Sequence, residues 1–384
     1  MNETITLATV RTSGHPWIFR RMLAKGGRRP PNGAAVDVRD RNGAFVGVGL
    51  YSSRSSIAVR LVGDEEGRPV DRAFLRERFE ALRALKEELA GEGTDAFRLV
   101  NSEGDGLSGL IVDKFGKVFT ADVRAWGWYA RLDEVRGALE DAFGEVREFH
   151  AVAPAEVKRT EGFELPPPPA GRKVEFRENG LRFRFVLEEA HKTGSFLDQR
   201  ENRALVRRLA RGRVVLDCCC YTGGFALNAA AGGAESVCGV DLDEKAVAAA
   251  KKNADLNGLR VRFVHADVFP YLRDRVRAGN LADLLVLDPP KLIRSRAEFD
   301  EGRRVYYDMN RTAMAAVRKG GFLFSFSCSG LLGEEAFLKM LREAAWAAGR
   351  QAQVLRLVGA APDHPFLLTA PEGRYLKGAL LRLL

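Results

Sequence analysis

The sequence predicts an α/β protein whose C-terminal half forms a doubly wound parallel sheet. Beyond residue 195, five apolar runs typical of buried strands are separated by segments with helical spacing. Buried parallel strands are nearly continuous apolar runs, and an alternating β–α order places them in one sheet with helices on both faces. The runs are RVVLDCC, SVCGVDL, VRFVHAD, LLVLDPP and FLFSFSCS. The expected helices span residues 199–210, 223–231, 243–257, 304–318 and 334–349.

Two smaller domains are expected before the parallel sheet. Residues 1–68 carry short alternating runs broken by Gly, Asn-Gly and Ser pairs, which is typical of a small β-barrel. Residues 69–170 begin with a helix that Asp71 caps, continue as mixed strands and helix, and end in a stiff Pro-rich linker. Residues 171–384 open with a hairpin that turns at an Asn-Gly pair and then form the sheet domain.

Composition and cysteine usage predict a cytoplasmic protein without a membrane span. With 46% hydrophobic and 29% charged residues the chain is globular, and no apolar run approaches the roughly 20 residues that span a bilayer. The N-terminus lacks the basic start and apolar stretch of a signal peptide. The five cysteines have no paired spacing, which argues against disulfides. No metal site is expected, because Cys218, Cys219 and Cys220 alternate between strand faces and no histidine pair completes a ligand set.

The charge distribution predicts a polyanionic partner for the N-terminal segment. Lys plus Arg outnumber Asp plus Glu by 60 to 51, which gives a net charge of +9. Residues 1–70 hold 11 basic and 6 acidic side chains, a net +5 in less than a fifth of the chain. Nucleic acid is the commonest partner of such a segment. The candidate RNA contacts are Arg20, Arg21, Lys25, Arg28, Arg29 and Lys291.

Four carboxylates and one thiol lie at the ends of the five predicted strands. In an open α/β sheet, ligands bind outside the carboxyl ends of the strands. The five side chains therefore predict a ligand site along one edge of the sheet. In chain order they are Asp217, Asp241, Asp267, Asp288 and Cys328.

The turn after the first strand favours S-adenosylmethionine as the cofactor. In CYTGGF, Gly223 and Gly224 let the chain approach a ligand without a Cβ in the way. Asp241, at the second strand end, is placed to accept hydrogen bonds from ribose hydroxyl groups. A dinucleotide enzyme needs G-x-G-x-x-G to seat a pyrophosphate, and CYTGGF is not that pattern. A cofactor with a ribose but no phosphate therefore fits better.

Cys328 and Asp288 together predict covalent chemistry on a pyrimidine. The two prolines after Asp288 hold an extended turn whose free carbonyl groups can meet a planar ring. Neighbouring parallel strands lie about 4.8 Å apart, so the fourth and fifth strand ends can face one pocket. A Cys328 thiolate that adds to C6 makes C5 nucleophilic enough to take a methyl group, with Asp288 at the ring edge.

Several segments resemble the bacterial large-subunit rRNA cytosine-5 methyltransferases, which depend on S-adenosylmethionine and carry an N-terminal PUA domain. They are HKTGSFLDQRENR (191–203), VLDCCCYTGGFALNAA (215–230), LDPPKL (287–292) and FSFSCSG (324–330), with GHPWIF (14–19) and FVGVGLYSSRSSIAVRLV (45–62) similar to the PUA module. The resemblance implies a PUA-like RNA-binding domain, a connecting α+β domain and a Rossmann-like class I methyltransferase domain. It implies methylation of C5 of one cytosine in 23S rRNA or a large-subunit assembly intermediate, and a homodimer.

The resemblance also assigns roles to individual residues. Gln199 and Arg200 belong to a segment that closes over the cofactor. Cofactor contacts run from the methionine end through the ribose to the adenine amino group in the order Asp217, Tyr221, Thr222, Asp241 and Asp267. Gly223 and Asp288 are also expected to contact the cofactor. Cys328 is the nucleophile, and Asp288 supports the base.

Three alternatives remain open at this point. The uracil-5 RNA enzymes share a Pro-rich fourth-strand turn and a single catalytic cysteine, but usually continue with Asn-Pro where this chain has Ser329-Gly330. An amino-group methyltransferase could use the DPPK turn without needing Cys328, and a non-catalytic RNA-binding assembly factor could keep the same fold. Cytosine is favoured, although the second cysteine of many cytosine-5 enzymes is absent after the fourth strand, so product release must use another group.

Overall fold

The structure, a computed structural model, describes residues 2–26, 29–189 and 193–384. Its contacts divide the chain into two compact units. The N-terminal unit comprises Met1–Gly180, Phe185–Leu197 and Pro362–Gly373, and the C-terminal unit comprises Leu181–Arg184, Asp198–Ala361 and Arg374–Leu384. The three domain ranges expected from the sequence stay a prediction.

The first part of the N-terminal unit is a five-stranded sheet. Its strands are β1 (Glu3–Thr6), β2 (Trp17–Phe19), β3 (Ala35–Arg39), β4 (Phe45–Tyr51) and β5 (Ile57–Gly63). They are arranged in the order β1-β3-β4-β5-β2, with β1 parallel to β3 and the other pairs antiparallel. Fully buried Ile18, Val36 and Val59 form the centre of its core. The short strands follow the alternating runs from which a small β-barrel was predicted.

The second part of the N-terminal unit packs helices on a four-stranded sheet in the order β6-β7-β8-β9. Its elements are α1 (Arg72–Ala90), β6 (Ala96–Asn101), β7 (Leu110–Phe115), β8 (Val118–Val123), α2 (Trp126–Tyr129), α3 (Leu132–Phe143), β9 (Glu148–Val152) and α4 (Ala155–Glu161). The Asp71 carboxylate accepts the Phe74 N–H at 2.9 Å, which confirms the predicted cap. The helix expected near residues 129–143 is α3, which begins at Leu132, and the short helix α2 precedes it. Strand β9 was not predicted, because every residue in it is half-buried and no alternation marks it.

A two-stranded hairpin follows the prolines, as predicted. It consists of β10 (Lys173–Glu178) and β11 (Leu181–Val186). The turn residues Asn179 and Gly180 have φ angles of 51° and 78°. Two consecutive positive φ angles define the hairpin turn that Asn-Gly favours, because its twist matches that of the flanking strands.

The C-terminal unit is a seven-stranded sheet covered by helices. Its elements are α5 (Arg200–Leu209), β12 (Val214–Cys218), α6 (Gly224–Ala231), β13 (Ser236–Asp241), α7 (Glu244–Leu256), β14 (Arg262–His265), α8 (Val268–Arg277), β15 (Ala282–Leu287), α9 (Phe299–Ala315), β16 (Val317–Ser327), α10 (Glu334–Ala347), β17 (Ala352–Val358) and β18 (Lys377–Leu383). The strand order is β14-β13-β12-β15-β16-β18-β17.

The first five strands of this sheet are parallel, which confirms the predicted α/β fold. Strands β17 and β18 are antiparallel additions that the sequence did not predict. Strand β17 is exposed along most of its length although its sequence, AQVLRLV, is largely apolar. The helix predicted over 304–318 begins earlier, at Phe299, and ends before Val317, which already belongs to β16. In the described part of the chain, no helix has both the length and the apolar character needed to cross a membrane.

Candidate active site

The predicted carboxylates lie around the point where the strand order reverses. Strand β12 lies between β13 and β15. From β12 the chain continues to β13 and β14 on one side of the sheet, and it then returns to β15 and β16 on the other side. Residues Cys218 and Leu287 are ladder partners, and the Asp288 N–H donates to the Cys218 carbonyl oxygen at 3.3 Å. Ligands of doubly wound sheets bind in the crevice at such a switch point. Asp217 and Asp288 therefore border that crevice.

Asp217 is a buried carboxyl with one unsatisfied oxygen. Its side chain is 1% exposed, and its Oδ2 accepts the Ala226 N–H at 2.9 Å. Its Oδ1 has no hydrogen-bond partner among the described residues. Burial, which disfavours the charged form, raises the pKa of Asp217 to about 8. A buried acceptor left without a donor is suited to a cationic or hydrogen-bonding ligand group.

The turn between β12 and α6 brings backbone close to the crevice. Cys219 and Tyr221 have φ angles of 62° and 48°, and Gly223 has 86°. A left-handed conformation costs a non-glycine residue energy, so this turn stores local strain of the kind found at ligand sites. Asp241 holds the turn, because its carboxylate accepts the Tyr221 N–H at 2.7 Å and the Asp243 N–H at 2.9 Å.

Two glycines of the turn cannot be replaced without displacing a neighbour. A Cβ on Gly224 would lie 2.5 Å from Arg203 Nε. A Cβ on Gly223 would lie 3.0 Å from the Phe263 ring, and its φ angle favours glycine. Thr222, between these elements, is half-buried, and its carbonyl oxygen accepts the Asn253 amide at 3.2 Å.

Asp267 is exposed at the start of α8. Its carboxylate accepts the Phe269 N–H at 2.8 Å and caps the helix. The strand before it, β14, is paired with β13, so Asp267, two residues beyond β14, lies at the same edge of the sheet as Asp241. The structure thus brings Asp217, Asp241, Asp267 and Asp288 to one edge, as the strand pattern predicted.

Gln199 and Asp288 are in direct contact. The Gln199 Nε2 donates to Asp288 Oδ2 at 3.0 Å, and the Asn202 amide donates to Gln199 Oε1 at 2.7 Å. Burial, and next the neighbouring Asp198 carboxylate, raise the pKa of Asp288 to about 7. Asp288 can therefore exchange a proton near neutral pH. Arg200, the residue after Gln199, is fully buried at the start of α5.

The turns after β15 and β16 are joined by a buried tyrosine. Tyr306 in α9 places its hydroxyl 3.0 Å from Ser329 Oγ and donates to the Pro290 carbonyl oxygen at 3.4 Å. Ser329 Oγ also accepts the Ile293 N–H at 3.1 Å. The DPPK turn and the loop that carries Cys328 therefore form one connected group. Sequence reasoning missed Tyr306, whose only signal is an apolar position in an amphipathic helix.

A second residue that sequence reasoning missed is Lys377, the first residue of β18. It is 4% exposed, and its Nζ donates to the Ser329 and Tyr375 carbonyl oxygens at 2.7 and 2.9 Å. In the sequence Lys377 is only a lysine before the apolar run GALLRLL, and nothing in that pattern indicates its burial.

The cysteines differ in reactivity by position. Burial raises the pKa values of Cys218, Cys219 and Cys220 well above that of a free thiol, so all three stay protonated. Cys238 Sγ lies 3.2 Å from the Tyr271 hydroxyl. Cys328 is half-buried just beyond the end of β16. Within the described ranges, no three His, Cys, Asp or Glu side chains are grouped as metal ligands.

The predicted RNA contacts differ in how they are held. Arg20 donates to the Ser52 and Ser55 carbonyl oxygens at 2.8 and 2.7 Å, so its guanidinium group stabilises the loop between β4 and β5. The Arg21 guanidinium lies 5.8 Å from the centre of the Phe19 ring and is exposed. Three further predicted contacts are exposed, namely Lys25, Arg29 and Lys291. Arg28 lies outside the described residues, as do His191 and Lys192 of the segment predicted to close over the cofactor.

The fold and the strand-end site define a class of enzyme, the S-adenosylmethionine-dependent methyltransferases. A sequence model described as S-adenosylmethionine-dependent methyltransferase matches residues 170–367, and one described as PUA-like domain matches residues 11–63. The chain is 36% identical to the ribosomal RNA large subunit methyltransferase I of Pseudoalteromonas atlantica over 100% of both chains. It is 34% identical to the enzyme of that name in Klebsiella pneumoniae, over 96% of this chain and 94% of the other. The chain belongs to the ribosomal RNA large subunit methyltransferase I family.

Solved structures agree on the fold. A crystal structure of a methyltransferase complexed with SAH has a TM-score of 0.80 at 19% identity, over 99% of both chains. A SAM-dependent methyltransferase from Streptococcus mutans has a TM-score of 0.78 at 19% identity, over 99% of this chain and 100% of the other. The predicted PUA-like module, methyltransferase fold and S-adenosylmethionine dependence are thus confirmed.

Proposed function

We propose that this protein methylates C5 of a cytosine in 23S rRNA, with S-adenosylmethionine as the methyl donor and Cys328 as the covalent nucleophile. The observation that carries the proposal is the Tyr306 hydroxyl, which joins the turn after Asp288 to the loop that holds Cys328. An acid and a thiol beside one crevice suit addition to a pyrimidine ring. The names of the relatives support large-subunit ribosomal RNA as the substrate.

The residues around β12 suit the proposed cofactor. The unsatisfied, buried Asp217 Oδ1 is complementary to the ammonium group of the methionine moiety. The strained turn that holds Tyr221, Thr222 and Gly223 would border the methionine chain. Asp241 would accept the ribose hydroxyls and Asp267 the adenine amino group, while Gln199 and Arg200 would border the methyl-transfer end. When bound, S-adenosylmethionine supplies an electrophilic methyl group.

Cys328 and Asp288 divide the proposed reaction between them. The Cys328 thiolate adds to C6, and N3 takes a proton from Asp288, whose pKa of about 7 allows it to act as an acid. The resulting C5 enamine carbon is methylated. A base then removes the C5 proton, N3 returns its proton to Asp288, and the thiolate leaves from C6. Nucleophilic addition thus splits one difficult substitution into easier steps.

RNA binding is proposed to involve the PUA-like module and the exposed cations. Arg21, Lys25 and Arg29 are exposed in the N-terminal unit, and Lys291 is exposed beside the proposed substrate turn. Lys and Arg side chains neutralise phosphates and make affinity fall with salt. The target cytosine must leave its stack to reach a half-buried thiol, which favours an RNA region that is flexible or incompletely assembled.

The test uses rRNA from cells that lack the protein. The RNA is incubated with labelled S-adenosylmethionine and wild-type protein, Cys328→Ala or Cys238→Ala, and the nucleosides are identified by mass spectrometry. 5-Methylcytidine is expected with wild type and Cys238→Ala and not with Cys328→Ala. 5-Methyluridine or a methylated amino group, or activity that survives the loss of Cys328, would show the proposal to be wrong.

A further inference from the structure

Lys377 is held against the loop that carries Cys328. It is the ladder partner of Ser327, the residue before Cys328, in the antiparallel pair of β16 and β18. Its Nζ donates to the carbonyl oxygen of Ser329, the residue after Cys328, at 2.7 Å. The lysine therefore contacts the chain on both sides of the cysteine. Its second acceptor, the Tyr375 carbonyl oxygen at 2.9 Å, fixes the ammonium group in this position.

A lysine this deeply buried requires compensation for its charge. Carbonyl oxygens satisfy hydrogen bonds but supply no net charge, and burying an unpaired ammonium is costly. Burial lowers the pKa of Lys377 to about 8, and the Cys328 thiolate is the largest influence that opposes this change. At neutral pH most Lys377 side chains are thus still protonated. Among the groups that influence its pKa, the Cys328 thiolate is the strongest counter-charge.

The other charged or titratable groups around Lys377 and Cys328 are weaker partners. Glu334, at the start of α10, favours the charged lysine less than Cys328 does, and it forms an ion pair with Arg374 at 2.5 Å. Arg374 itself disfavours the charged lysine. Tyr306, from α9, has its pKa raised chiefly by burial, and next by Cys328, so its hydroxyl stays neutral.

We infer that Lys377 is a positioning residue that keeps Cys328 in its thiolate form by pairing with it as an ammonium group. The inference rests on the proposed role of Cys328 as the nucleophile. At neutral pH Lys377 already carries its proton, so the Cys328 S–H bond breaks by loss of the proton to solvent, and the ammonium group stabilises the thiolate that remains. A thiolate, not a thiol, is the nucleophile in additions of this kind. Lys377 is fixed to the loop that carries Cys328 by its hydrogen bond to the Ser329 carbonyl oxygen.

The test measures how fast iodoacetamide alkylates Cys328 between pH 5 and 10, with the modified peptide quantified by mass spectrometry. In the full-length wild type, the midpoint is expected below the value of about 8.5 for a free thiol. Lys377→Met should raise that midpoint by at least about one pH unit, which lowers the alkylation rate at neutral pH about tenfold. Lys377→Arg should retain a low midpoint. Arg374→Met, which removes a neighbouring exposed cation, should leave it unchanged.

A second measurement does not depend on the folding of the lysine variants. The thiolate absorbance near 240 nm is followed against pH in wild type and in Cys328→Ser, and the difference reports Cys328 alone. A wild-type midpoint at or above about 8.5, or an unchanged midpoint in folded Lys377→Met, overturns the inference. If instead the midpoint depends on Lys377 while Cys328→Ala still methylates RNA, the ion pair stands and the proposed function fails.

Discussion

The Gln199 side-chain amide donates to the Asp288 carboxylate at 3.0 Å, which links the start of α5 to the turn after β15. Gln199 is itself oriented by the Asn202 amide at 2.7 Å. One residue of the segment proposed to close over the cofactor thus contacts the carboxyl proposed to act on the substrate. The hydrogen bond favours the charged form of Asp288 and so opposes the rise in the pKa of that carboxyl that burial causes.

Replacement of Gln199 should move the pH profile of the enzyme. In Gln199→Ala the charged form of Asp288 loses a hydrogen bond, so the pKa of Asp288 is expected to rise above its value of about 7. If the protonated carboxyl is required, the alkaline fall in kcat moves to higher pH. Rates are measured from pH 6 to 9, with the exposed Gln353 changed to Ala as a control. A profile that does not move would contradict the role given to this hydrogen bond.

Asp217 should lower the folding stability of the cofactor-free protein as the pH rises. Its folded-state pKa of about 8 lies above the unfolded value of about 3.9, so between these values the folded state binds more protons. Stability is therefore highest below pH 4 with respect to this group and is lost as the pH rises towards 8, by at most about 1.4 kcal/mol per unit. Asp217→Asn should remove this slope.

The measurement is the Tm of wild type and Asp217→Asn without cofactor at pH values from 5 to 8. The difference in Tm should grow with pH in favour of the variant. Asp288→Asn serves as the comparison, because burial also raises the pKa of that carboxyl, to about 7. A constant difference between wild type and Asp217→Asn across this range would show that Asp217 ionises normally in the folded protein.

Loss of the Tyr306 hydroxyl should impair catalysis more than stability. Tyr306→Phe removes the link between Ser329 and Pro290, at a cost of about 1 kcal/mol for a buried hydrogen bond. We expect kcat to fall about tenfold, since misplacement of the two turns separates the acid from the thiol. The neighbouring Tyr307→Phe is the matched control. Equal kcat values for both variants would argue against a shared site built by Tyr306.

The buried ion pair of Lys86 and Asp105 should be essential for the stability of the N-terminal unit. Lys86 Nζ lies 2.9 Å from both Asp105 oxygens and donates to the Asp363 carbonyl oxygen, with side chains 0% and 4% exposed. Burial lowers the pKa of Lys86 and raises that of Asp105, so desolvation exceeds the attraction within the pair. Lys86→Met should cost about 3–5 kcal/mol, because it leaves an unpaired buried carboxyl.

Urea unfolding measures that cost against Lys117→Met, which breaks an exposed pair with Glu145. The exposed pair should contribute less than about 1 kcal/mol. If both lysine variants unfold at similar urea concentrations, the buried pair stabilises this unit no more than the exposed pair does.

The parts of the site that the sequence predicted are those set by local pattern. Asp217, Asp241, Asp267 and Asp288 each lie at or just beyond the carboxyl end of a strand, and parallel strands bring such positions to one edge regardless of loop detail. Lys377 and Tyr306 could not be predicted, because they reach the Cys328 loop only through tertiary packing of β18 and α9. The return of Pro362–Gly373 to the N-terminal unit was missed for the same reason.

The central claim is that Cys328 forms a covalent bond to the target cytosine. It is tested most directly by trapping, with rRNA transcribed from 5-fluorocytidine triphosphate and incubated with S-adenosylmethionine and the full-length protein. Fluorine at C5 cannot be removed as a proton, so the adduct should accumulate, survive denaturing electrophoresis, and map by mass spectrometry to Cys328. Its absence in Cys328→Ala is expected. No adduct with wild-type protein that methylates unmodified rRNA, or an adduct at another residue, would contradict the account.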